Sequence, residues 1–290
     1  MMRLFPLARR AAAGIALGLL CAPAAPGAQD LGLTGLSENA PIEVEASQGI
    51  EWRRDDKLFI ARGDAVAKQG SVTVRADMLS AFYREQQGGG NQVYRIEAAG
   101  NVHITSDTST LDGSKGVYDF DRDVMTVTGK EVVLVTPEQR VTADRSMEFD
   151  NKRHVAVATG NATVTRGDQR MRADVLTAHL KRNPQGRWVI DRIEGAGSVL
   201  VSTPSEIARA DRGTYNLGTE FATLAGSVRI TRGPNQLNGE NAEVDMRTGV
   251  SRLTGAPGQA GGRVRALIVP GQASSKGSGQ TPQDSGQSRR

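Results

Sequence analysis

Residues 95–105 read Arg95-Ile-Glu-Ala-Ala-Gly100 followed by Asn-Val-His-Ile-Thr105, and residues 192–202 read Arg192-Ile-Glu-Gly-Ala-Gly197 followed by Ser-Val-Leu-Val-Ser202. Both passages place a glycine before an alternation of period two, Val102/Ile104 in the first and Val199/Val201 in the second. A period of two belongs to a strand with one face turned inward, because successive side chains of extended backbone point to opposite sides. Outward from these passages the same pattern returns. Glycines at 63, 100, 129, 160, 197 and 226 each open such a segment, and Gly255 begins a seventh that stops. A small residue follows each of the six by 13 or 14 positions: Ala76, Gly113, Ala143, Ala173, Ala210 and Gly239. Four of these belong to Ala-Asp pairs, at 76–77, 143–144, 173–174 and 210–211.

The glycine spacings are 37, 29, 31, 37, 29 and 29 residues. The two longer intervals carry similar insertions, Glu85–Tyr94 and Lys181–Trp188, so residues 63–159 and 160–255 read as two copies of a three-repeat block. A repeat of this length must be recognised before any other feature, because it dictates the architecture. Threonine and valine are plentiful and no helical period of ten residues follows residue 28. The body is expected to be all β, each repeat supplying short strands, with Ala packed inward and Asp capping a turn.

The chain has 290 residues, 38% hydrophobic and 23% charged, with 34 glycines and 11 prolines. That balance excludes wholesale disorder. The net charge of +4 is unevenly spread. Arg3, Arg9 and Arg10 precede the apolar run Ala11–Leu20 and a small-residue zone, as in a secretory signal peptide over residues 1–27, cut after Gly27 or Ala28. The run is too short to span a bilayer. The tail from residue 259 is basic, which leaves a mildly acidic body and no basic nucleic-acid face. The only cysteine, Cys21, falls in the leader, and Leu20 occupies the place where a lipoprotein signal needs a small residue. The exported chain is thus expected to hold together by packing and backbone pairing without disulfides. Residues 271–290 are Gly, Ser, Gln and charge, the composition of a disordered tail.

Catalytic signatures are missing. His103, His154 and His179 stand far apart without ligand spacing, and no P-loop or nucleophile elbow occurs. Asp119, Asp121 and Asp123 alternate as in a calcium loop but lack its glycine and distal glutamate, so a polar hairpin tip is the simpler reading. An enzyme is not expected, nor is a cofactor or a metal.

Pro41-Ile-Glu-Val-Glu45, the Gly-[Asn/Asp]-x-Val and Ala-Asp repeats, and the closing stretch Arg263-Val-Arg-Ala-Leu-Ile-Val-Pro270 together resemble the LptA/OstA-like family of lipopolysaccharide-transport bridge proteins. The resemblance covers roughly residues 39–282, with a jellyroll expected over 39–270. Six repeats are more than an ordinary member is expected to carry. The resemblance implies an open, slightly twisted β-jellyroll whose two sheets form a slot for lipid A acyl chains in the periplasm. It also implies partners: an LptC-like inner-membrane protein, an LptD-like outer-membrane protein, and head-to-tail copies of the chain joined through terminal strands. Twelve layers would give a slot of about 60 Å. The residues expected to line it are Ile42 and Val44 at one mouth, Tyr118 and Phe120 with Tyr215 and Leu217 as repeat equivalents, and the wall residues Val74, Val102, Ile104, Val127, Val164 and Met171. An ordinary sandwich core would show the same pattern, so a β-repeat scaffold or adhesin without lipid is the alternative.

Overall fold

The computed structural model describes residues 40–86, 90–184, 188–245, 247–248, 250–255 and 263–269. The expected leader and the tail 271–290 lie outside the described residues. All regular elements among the described residues are strands: β1 (Glu43–Glu45), β2 (Ile50–Arg53), β3 (Leu58–Gln69), β4 (Val72–Glu85), β5 (Asn91–Thr105) and β6 (Thr110–Asp119). Four short strands follow, β7 (Val124–Thr128), β8 (Val132–Val135), β9 (Arg140–Ala143) and β10 (Ser146–Asp150). Long strands then resume with β11 (Val155–Arg166), β12 (Gln169–Arg182), β13 (Trp188–Ser202), β14 (Ile207–Asn216), β15 (Phe221–Arg232) and β16 (Asn235–Asp245). The chain closes with β17 (Val250–Thr254) and β18 (Arg265–Leu267). They form one antiparallel sheet of 18 strands.

Each long strand is creased, and the register shows where. The pairing of β3 with β4 skips from Arg62/Met78 to Ala65/Ala76, leaving Gly63 and Asp64 opposite the single residue Asp77. The same two-against-one bulge falls after Ala99, Thr159, Ala196 and Ala225. At every one of them the glycine and the residue after it both have positive φ, for example 75° at Gly197 and 50° at Ser198. A bulge adds a residue to one strand and bends it, so each strand contributes its two halves to two different ladders. At Gly129 the solution differs: β7 ends at Thr128, β8 starts at Val132, and the turn is held by Gly129 N–H donating to Arg145 O at 3.2 Å.

The first ladder runs β1, the second half of β3, the first half of β4, the second half of β5, the first half of β6, then β8 and β9. It continues through the second half of β11, the first of β12, the second of β13, the first of β14, the second of β15, the first of β16, and β18. The second ladder takes β2, the complementary halves of the long strands, β7 and β10 in the middle, and β17 at the end. Each ladder thus has fourteen strand segments, two more than the twelve layers expected, because β1/β2 and β17/β18 add a pair at either end. At about 4.8 Å per step the thirteen steps span roughly 60 Å. The two insertions lengthen the β4–β5 and β12–β13 hairpins, carrying Tyr83, Arg84 and Glu85 past the register shift at Phe82 to pair with Val93, Gln92 and Asn91.

Candidate functional site

Alternation and register together sort the side chains into rows that cross the strands. In the first ladder, Val44 pairs with Ala67, Ala67 with Val74, Val74 with Ile104 and Ile104 with Leu111. The row continues from Val164 to Met171, Val201, Ala208, Ile230 and Leu237. A second row nearer the crease holds Ala65, Ala76, Val102, Ala162 and Ala173, all of them buried. In the second ladder, Ile96 pairs with Tyr118, Tyr118 with Met125 and Met125 with Phe149; farther along, Ile193 pairs with Tyr215 and Tyr215 with Ala222. A companion row carries Leu79, Ala98, Gly116, Val127 and Met147. These rows hold apolar residues or glycine and face one another. A methyl group at Gly195 of the second ladder would lie 2.9 Å from Met171 Cε of the first.

Two of the cavities between the ladders bear on the expected site. One, near the β1/β2 end, has a volume of about 360 Å³ and is lined by Ile42, Val44, Phe59, Leu79, Ile96 and Phe120 among others. That is within the range of small-ligand pockets. The other, of about 60 Å³, lies midway and is lined by Leu134, Val141, Phe149, Val164, Leu176 and Ile193 among others. The expected residues therefore divide. Ile42, just before β1, Val44 and Phe120 line the larger cavity, and Val164 lines the smaller. Val102, Ile104, Tyr118 and Val127 are buried in the packed interior. Val74, Met171 and Tyr215 are half-buried against it. Leu217 sits half-buried in the turn after β14, where its N–H donates to Asp191 O at 2.8 Å.

Tyr118 is tied down at its polar end. Its hydroxyl donates to Asp123 Oδ1 at 2.5 Å, Asn151 Nδ2 donates to the same carboxylate at 2.7 Å, and its ring meets Phe120 edge-on at 4.7 Å. Burial, and then the Asp123 carboxylate, push the Tyr118 phenol well above its ordinary pKa. The three alternating aspartates serve three separate partners: Asp119 accepts the Arg122 N–H, Asp121 takes both guanidinium arms of Arg84 at 2.7 and 3.0 Å, and Asp123 holds Tyr118. They form a hairpin tip. Arg84 holds the Asp121 carboxyl below the usual carboxylate range.

An aromatic cluster that reaches the larger cavity through Phe59 was not among the expected residues. Trp52 stacks on Phe59 at 5.3 Å, Phe59 meets Tyr83 at 5.1 Å, and Trp52 Nε1 donates to Tyr83 Oη at 2.8 Å. These residues precede the first repeat glycine or lie on the first inserted hairpin, outside the repeat pattern. The signal that could have found them is the alternation Ile50, Trp52 and Phe59, Ala61 flanking the turn at 54–57.

The profile of the family described as LptA/(LptD N-terminal domain) LPS transport protein matches this chain twice in succession, over residues 43–145 and 140–250. The chain belongs to that family. The two matches overlap at residues 140–145 and together span β1 to β16. An uncharacterized protein of Rhizobium meliloti (strain 1021) is 27% identical over 130 residues, 43% of this chain and 69% of the relative. LptH of Pseudomonas aeruginosa, described as the LptA-homologous periplasmic component of the lipopolysaccharide transport device, aligns at 14% identity with a TM-score of 0.21, covering 80% of this chain and 98% of its own.

Proposed function

We propose that this protein is a periplasmic lipopolysaccharide carrier that shields lipid A acyl chains between two membranes. The observation that carries the reading is the set of facing apolar rows that cross the strands from β1/β2 towards β17/β18, with a cavity at one end. In water an acyl chain of a dozen carbons costs on the order of 10 kcal/mol, at about 0.8 kcal/mol per CH₂. A continuous apolar trough removes that cost without catalytic groups. In this reading the two ladders are the walls of an open β-jellyroll built from six repeats in two blocks, 63–159 and 160–255, with the leader removed near Gly27 or Ala28 on export. Lipid enters past Ile42, Val44 and Phe120 and parts the packed rows as it advances by Val164 and Met171. The terminal strands β1/β2 and β17/β18 join an LptC-like inner-membrane protein, an LptD-like outer-membrane protein and further copies of the chain, head to tail.

A photo-reactive amino acid at Phe120 or Phe59, with exposed Arg122 as control, tests the reading in irradiated cells. Lipopolysaccharide adducts at Phe120 and Phe59, and none at Arg122, are expected. A folded, exported protein with adducts at neither position is instead a closed β-repeat scaffold.

A further inference from the structure

The two ends of the sheet carry opposite charge in matched rows. On the outer face of the first ladder, an unbroken row of register partners starts at Glu45 on β1 and passes through Arg75, His103 and Asp112. It goes on through Val133, Thr142, Thr163, Arg172 and Leu200 to Arg209, Arg229, Asn238 and finally Arg265 on β18. On the outer face of the second ladder, the corresponding row starts at Glu51 on β2 and ends with Glu243 paired to Arg252 on β17. Each ladder has an even number of segments, so β1 runs antiparallel to β18 and β2 antiparallel to β17. A second copy added end to end therefore continues both ladders in the same antiparallel sense.

We infer that charge sets the register of the head-to-tail joint between copies: Arg265 on β18 opposite Glu45 of the next copy, and Arg252 on β17 opposite Glu51. This rests on the head-to-tail reading above and adds its register. In that register the inner rows also continue, Ala266 meeting Val44 and Leu253 meeting Ile50. The exposed apolar side chains of the β1/β2 edge support the fit, since Ile50 is 53% exposed and Val44 37% and both would be covered by the next copy. An open edge with such residues pairs with another strand unless charge directs it. Here charge does direct it. Joining two β1/β2 ends would bring Glu45 and Glu51 against their own kind, and joining two β17/β18 ends would do the same with Arg252 and Arg265. Like charges directly opposed across strands disfavour both. Glu51 already holds Arg53 at 2.8 Å and Arg62 at 3.7 Å, so Glu45–Arg265 is the cleaner pair to test.

The test is sedimentation of purified full-length-expressed protein as wild type, Glu45→Arg and Arg265→Glu, alone and mixed. Wild type should self-associate, each variant alone should do so at least tenfold more weakly, and an equimolar mixture of the two should regain association at near wild-type concentration as chains in which the variants alternate, because each variant's ends then meet opposite charge on the other. Wild type that associates while both variants match it, or a mixture that gains nothing, overturns the charge-set register and leaves self-association standing. Wild type that stays monomeric at every concentration, with no pairing in the mixture, overturns both. A disulfide pair provides a second readout if a reversal does not fold. With Cys21 replaced by Ser, Glu45→Cys with Arg265→Cys should cross-link between copies on oxidation, whereas Glu43→Cys with Arg265→Cys should not. Equal cross-linking of the two pairs overturns the register.

Discussion

The carboxylate of Asp174 occupies the space a side chain at Gly197 would need: a Cβ there would lie 2.2 Å from Oδ2. Asp77 stands in the same relation to Gly100 at 2.0 Å, and Asp211 to Gly226 at 2.3 Å. The aspartate of one strand thus plugs the bulge of the next, and Asn101 Nδ2 donates to both oxygens of Asp77 at 3.1 Å. The Ala-Asp pair and the glycine are two halves of one crease.

Gly197→Ala should therefore cost well over the price of a left-handed alanine. Gly167, with φ of 53° and nothing within 4 Å of a Cβ, isolates the backbone penalty, about 1 kcal/mol. Thermal unfolding is expected to show about 3 kcal/mol for Gly197→Ala against about 1 for Gly167→Ala. The double variant Asp174→Ala/Gly197→Ala should recover part of the loss. Equal effects at the two glycines would count against the plugged crease.

Glu206 is 4% exposed in the turn before β14, and neither carboxylate oxygen has a hydrogen-bond partner. Burial raises its pKa, with Arg232 pulling the other way. A raised folded-state pKa means its favourable contribution is complete below the unfolded value and lost as pH rises through the folded one. Glu206→Gln should stabilise the protein by about 1 kcal/mol at pH 7 and by much less at pH 4. Denaturant midpoints at the two pH values decide it; a gain that is the same at both refutes the desolvation account.

Tyr118→Phe removes a buried hydroxyl donor and should cost about 1 kcal/mol below pH 9. Because the folded phenol titrates above the unfolded one, wild type should lose that advantage as pH rises past about 10. Chemical denaturation at pH 8 and pH 10.5 measures it, and a difference that widens at high pH contradicts the raised phenol.

Leu111 is fully buried between Ile104 and Leu134, whereas Val44 on the edge strand is 37% exposed. Leu111→Ala should cost about 3 kcal/mol and Val44→Ala under 1 kcal/mol, read from urea midpoints. If Val44→Ala also lowers lipid adduct yield at Phe120, the edge residue acts on the ligand and not on the fold.

Strand period and the inward alanines were legible because they are local. Val102/Ile104 and Val199/Val201 alternate within a few residues, and alternation alone assigns their shared face. The division of the expected lining was not legible. Tyr118 and Phe120 stand two apart on the same alternation, yet Tyr118 is buried with its hydroxyl bound, while Phe120 lies just past the end of β6 and lines the cavity. Gly129 shares the repeat spacing but not the crease, since the chain there breaks into β7 and β8 and lets Arg145 close the turn.

By itself the sequence determined an all-β chain of glycine-opened, alternating segments, because backbone period and turn residues act over a few positions. Only the tertiary structure decided that each bulge bends its strand from one ladder to the other, and that the ladders face each other with fourteen segments apiece. It also decided that each outer row starts with a glutamate at one edge and ends with an arginine at the other. Those facts depend on register between residues far apart in the chain, where a shift of one residue would exchange inner and outer faces.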